Sequence, residues 1–113
     1  MLKLKNGVSF ESLRKFGFKP GYEWKSEGCD FLEGCSYMDA WWHKFAMDPD
    51  EPEKLWLVED NFPLVHILVN ESGHIDIDAC PDNSYHVEGI ELDVVQNTIF
   101  DLTMAGLVEK REV

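Results

Sequence analysis

Between Leu55 and Glu109 the sequence contains no lysine or arginine, although eleven acids fall in the same stretch. Other absences narrow the field as well. No apolar run approaches the roughly 20 residues that a membrane-crossing helix needs. Met1 to Asn6 carries charge with no apolar segment behind it, so no secretory signal and a cytoplasmic setting are expected. There is no G-x-x-x-x-G-K-[ST], no G-x-G-x-x-G and no G-x-S-x-G. The phosphate-cradling loops and the nucleophile elbow of common enzymes therefore have no foothold. Cysteine is scarce and odd in number; Cys29, Cys35 and Cys80 cannot all pair within one chain and read most simply as reduced thiols.

What is present fits one ordinary folded domain spanning residues 1–113. The 113 residues are 44% hydrophobic and 28% charged, and the net charge is −12. Such a charge opposes direct binding to nucleic acid phosphates. Its distribution is uneven: residues 1–28 hold Lys3, Lys5, Arg14, Lys15, Lys19 and Lys25 against Glu11, Glu23 and Glu27. One expectation is that the basic segment folds against the acidic half; another is a single-sign surface that steers a partner protein with a basic surface.

Local patterns place the elements. Ser9 as N-cap, Phe10, Leu13 and Phe16 at helical spacing, and Gly17 after the last turn predict a short N-terminal helix within Val8 to Phe18. Lys19-Pro20-Gly21 breaks it, and Tyr22-Glu23-Trp24 is expected to begin a strand. Ser26 to Ser36 reads as a loop. Tyr37 to Met47 is aromatic-rich and expected to be extended, followed by the proline-bearing loop Asp48 to Glu53. Leu55 to Val58, Leu64 to Val69 and His74 to Ala79 read as three strands in meander order. Asn70-Glu71-Ser72-Gly73 forms the hairpin turn between the last two. Alternation should bury Ile75, Ile77 and Ala79 and leave His74, Asp76 and Asp78 in water. After a connector from Pro81 to Glu88, Glu91 to Ala105 forms the last helix, with Leu92, Val95, Ile99 and Leu102 on its apolar side. Leu107 to Lys110 adds a short strand. The expected fold is α+β: an antiparallel sheet of about four or five strands, packed with the C-terminal helix and the short N-terminal helix in two layers.

Candidate chemistry is sparse. Cys29 and Cys35 are separated by five residues and Cys80 stands alone, so the usual zinc spacing is missing. His74, Asp76 and Asp78 share a strand face, and His66 can lie across the hairpin, which makes these four the candidate metal ligands. An exposed polar sheet face produces the same alternation without any metal. A cysteine beside His43, His66, His74 or His86 would suit a thiol nucleophile, but no local motif marks one. Among the aromatics, Trp41 and Trp42 in a strand cannot share one core layer, so one ring is expected outside. Trp41, Trp42 and Trp56 are accordingly the candidate protein-binding anchors.

The ending Asp101 to Lys110 has the helix–glycine–strand order of winged-helix regulators, but its helix lacks Lys and Arg and cannot read DNA in their manner. The segments Leu2-Lys3-Leu4-Lys5-Asn6-Gly7-Val8 through Phe16-Gly17-Phe18, with Ala105-Gly106-Leu107-Val108-Glu109-Lys110 at the close, resemble small phage and prophage proteins of low-GC Gram-positive bacteria. The resemblance implies a mobile-element origin and carries no catalytic residues with it. The sequence reading is therefore a non-enzymatic acidic accessory protein that binds another protein, with no cofactor, no direct nucleic acid contact and no membrane. A small metal-dependent or thiol enzyme is the alternative.

Overall fold

The computed structural model describes residues 2–28, 32, 36–48, 50–57, 63–79 and 90–110. A four-stranded antiparallel sheet forms its centre, in the order β2 (Lys19–Pro20), β3 (Trp42–Phe45), β4 (Val65–Val69), β5 (Ile75–Ala79). A two-stranded antiparallel sheet joins β1 (Leu2–Leu4) to β6 (Val108–Lys110). The helices are α1 (Gly21–Ser26) and α2 (Ile90–Met104), with 3-10 helices at Phe10–Phe16 and Ser36–Met38. The fold is thus α+β with antiparallel pairing, as the sequence predicts.

The first helix forms where its caps dictate. The Ser9 hydroxyl accepts from Glu11 N–H, and Gly17 at φ 92° ends it, with Gly17 N–H donating to Arg14 O and Phe18 N–H to Leu13 O. This left-handed closure is open to glycine at little steric cost. Its winding is 3-10 rather than α. At the other end of the chain, α2 closes with the same two bonds, Gly106 N–H to Thr103 O and Leu107 N–H to Leu102 O.

Pairing register divides the main sheet. Trp42 faces Val69, Lys44 faces Ile67, and Val65 faces Ala79 on one side; His43 faces Leu68, and His66 stands between Phe45 and Asp78 on the other. The first side carries the larger core, in which Val65, Ile67 and Val69 meet Leu13, Phe18 and Leu102. The second side is not simply solvated. Trp24, Leu32 and Phe45, with Met38 and Leu55 against them, form a separate apolar cluster over it. The sheet is therefore covered on both faces at its β3 end, beyond the expected two layers, and is open on the second face where Asp76 and Asp78 are exposed.

Several local expectations are corrected. Tyr22 to Trp24 is helical: Gly21 N–H and Tyr22 N–H donate to Trp41 O and Asp39 O, and the Trp24 indole donates to His43 O at 2.9 Å. Those tertiary bonds replace the ladder that a strand would need. The Tyr37 to Met47 stretch divides into a 3-10 turn and β3. The three-strand meander uses β3 instead of Leu55 to Val58, whose described part makes only isolated bridges, Met47 with Leu55 and Leu57 with Pro63. Ile77 is 42% exposed although it alternates with buried Ile75, because β5 stands last in the strand order. The α2 stripe buries Thr98 and Leu102, with Val94 and Val95 packed beside them. The Pro81–Glu88 connector, the three cysteines and His86 lie outside the described residues.

Candidate functional site

The most concentrated polar chemistry in the described interior is a pair of histidines. β3 and β4 place His43 and His66 on the same sheet face, and α1 together with the Ser36–Met38 turn closes over them. His43 is fully buried and His66 is 4% exposed. His43 Nδ1 lies 2.7 Å from His66 Nε2, and His43 Nε2 lies 3.0 Å from Met38 O. A carbonyl can only accept, so His43 carries its proton on Nε2; its bare Nδ1 then accepts from His66 Nε2–H. The neutral pair is satisfied in this order. Phe45 stacks on His66 with ring centroids 4.6 Å apart. Burial holds both imidazoles below their ordinary pKa, and the neighbouring His43 further lowers His66, to about 4.

The four expected metal ligands are dispersed. Asp78 is the cross-strand partner of His66, whereas Asp76 opposes Leu68. His74 lies before β5 and bridges Lys3. Among the described residues, no group of three or more His, Cys, Asp or Glu side chains is placed to hold a metal ion. The loop residues Glu51 to Lys54 border an open depression, but all four are exposed and none converges on an interior group.

The tryptophans also part company. Trp42 is only 8% exposed, stacked near Phe10 with the Arg14 guanidinium 5.0 Å above its ring. It belongs to the larger core. Trp41 and Trp56 are half-buried, Trp56 against that same core. The most exposed large apolar groups among the described residues are elsewhere: Phe100 at 63% and Met104 at 71%, on the outer side of α2. The sequence signal for them was their i, i+4 spacing off the apolar stripe of that helix.

Charge is segregated. Arg14 clasps Glu23 with two guanidinium nitrogens and also bonds Glu11, which lowers the Glu23 pKa and raises its own. Lys19 pairs with Glu27, and Lys25 with Asp39. These three cations are thus neutralised by neighbours in sequence or in the adjoining turn, while Lys3 of the same segment stands opposite Glu109 and bridges His74 in the acidic half. Lys44 is half-buried, its pKa lowered by that burial and partly restored by Asp101. Asp76, Asp78, Asp93 and Asp101 are exposed, and among the described residues they make no salt bridge.

No described helix is long and apolar enough to cross a membrane. The fold is a small antiparallel α+β domain, with Asp76 and Asp78 exposed on the second face of the main sheet and Asp93 and Asp101 exposed on α2, which packs against the first. No protein-family model, curated protein or solved structure matches the chain.

Proposed function

We propose that the protein is a non-enzymatic accessory protein that binds another protein through its exposed acidic residues, and that the partner presents a basic surface. The observation that carries this reading is the segregation of charge. Arg14, Lys19 and Lys25 of the first segment are engaged in local ion pairs, and Asp76 and Asp78 of β5 and Asp93 and Asp101 of α2 remain exposed. A one-sign surface accelerates encounter with an opposite surface and discourages wrong partners. The phosphate-contacting face of a DNA-binding protein is one surface of that kind; a toxin neutralised by an acidic antidote is another. A phage or prophage origin and a cytoplasmic setting accord with the resemblance of the terminal segments.

Co-purification from the source cells tests the reading. A basic protein should be retained at about 50 mM salt and released by about 500 mM, because exposed charge is screened. A variant carrying Asp76→Asn, Asp78→Asn and Asp93→Asn should lose most of that retention. A partner held equally at both salt concentrations and by both proteins would overturn the proposal.

A further inference from the structure

The outer stripe of α2 combines an apolar pair with exposed negative charge. Phe100 and Met104 stand one turn apart and are the most exposed large apolar groups in the described structure. At 100° per residue, Asp93 falls on the same line as Phe100, and Gln96 and Asn97 flank it; all three are exposed. The stripe Val94, Val95, Thr98 and Leu102 packs inward, so Phe100 and Met104 are not a slipped part of the core. No Lys or Arg occurs anywhere in Ile90–Met104, and the last turn contains no basic residue. The final carbonyls are hydrogen-bonded by the glycine closure, but the negative pole of the helix has no cation of its own beside it.

Resting on the function proposed above, we infer that α2 is the contact element. It lays Phe100 and Met104 into an apolar groove on the partner, and lysines or arginines at the rim of that groove meet Asp93, Asp101 and the C-terminal pole of the helix. This is recognition of a helix by a groove, read through anchors at i and i+4. Charge selects the occupant. A second copy of this chain would bring another net charge of −12 against the same stripe, whereas a basic groove neutralises it. Two exposed anchors at the centre of a contact, with polar neighbours around them, match the usual distribution of binding energy at interfaces.

The test places a photo-crosslinking residue, p-benzoyl-phenylalanine, at position 100 or, in a control, at Tyr22, which is 59% exposed on α1. Both proteins are made in the source cells and irradiated; circular dichroism identical to the wild type establishes that each is folded. The expected result is an adduct through position 100 and none through position 22, joined to a partner peptide rich in Lys and Arg. With that partner purified, Phe100→Ala and Met104→Ala together should weaken binding by roughly 30-fold or more. An adduct to a second copy of this chain, or to an acidic peptide, overturns the inference. An adduct to a basic partner through position 22 alone overturns the role of α2 and leaves the proposed function standing. Absence of any adduct at either position, with no basic partner on co-purification, overturns both.

Discussion

His66 Nε2 and His43 Nδ1 meet across adjacent strands at 2.7 Å, and with both imidazoles held neutral by burial the Met38 carbonyl fixes the His43 proton on Nε2 and makes His66 the donor. Around them lie Trp24, Phe45 and Met38, with Lys19 and Asp78 as the charged cross-strand neighbours on that face. Lys19 is occupied by Glu27, and Asp78 is exposed.

Stability should accordingly fall on mild acidification. In the unfolded chain His66 regains its ordinary pKa near 6.5, whereas folding lowers it to about 4. Between these values the unfolded state binds more protons. The contribution is therefore fully present above pH 6.5 and is lost progressively as pH falls toward 4; His43 acts in the same direction. For His66 the full loss is of order 3 kcal/mol. Urea unfolding between pH 7.5 and 5.5 reads about 1.3 kcal/mol of this, above the range where carboxylates titrate. An NMR titration showing His66 half-protonated near 6.5 in the folded protein would contradict it.

Trp42 and Phe100 should separate cleanly in stability. Trp42→Ala removes a ring packed in the larger core and should cost about 3–5 kcal/mol. Phe100→Ala touches an exposed side chain and should stay within about 0.5 kcal/mol of wild type. Thermal melts of the two variants measure the difference, and equal melting temperatures would place both rings wrongly.

Gly21 is held by a close approach. A Cβ at this position would lie 2.3 Å from Met38 O, where no side chain of the carbonyl can swing away. Gly21→Ala should force α1 from the turn it caps and cost about 1–3 kcal/mol. Hydrogen exchange should rise first at Tyr22, whose N–H bonds Asp39 O. Unchanged stability would mean that α1 sits farther from the turn.

Thr98 is buried in the apolar stripe of α2, its hydroxyl donating to Val94 O at 2.7 Å. That carbonyl is also within reach of the helical ladder, so the hydroxyl adds little. Thr98→Val should be neutral or stabilising by up to about 1 kcal/mol. A loss above that range in a denaturant titration would reveal a second role for the hydroxyl.

The legible parts of this fold were those specified within a few residues. Ser9 and Gly17 mark one helix, Gly106 ends another, and Asn70 to Gly73 turns the β4–β5 hairpin, where Asn70 Oδ1 accepts from Ser72 and His74 N–H. Elements decided at long range were not legible. Trp24 becomes helical through a bond to His43, nineteen positions later in sequence. The strand β1 alternates in Leu2-Lys3-Leu4 but exists through Val108 to Lys110. Likewise the histidines could be named individually in the sequence, yet their meeting depends on the β3–β4 register. Which of the two adjacent tryptophans meets the larger core depends on the face that β3 turns toward it, and that face carries Trp42.

The β1–β6 ladder also bears on how the molecule acquires its structure. Leu2 is paired with Lys110, so the first strand emerges from the ribosome with its partner still more than a hundred residues away. Until β6 is made, Leu4 is tied to the sheet by the Gly73 carbonyl, the Lys3–His74 bridge and its apolar neighbours in the larger core. Contacts of such sequence separation close slowly. The hairpin of β4 and β5 can form first, and the larger core is sealed last, when Leu102 and Val108 arrive together.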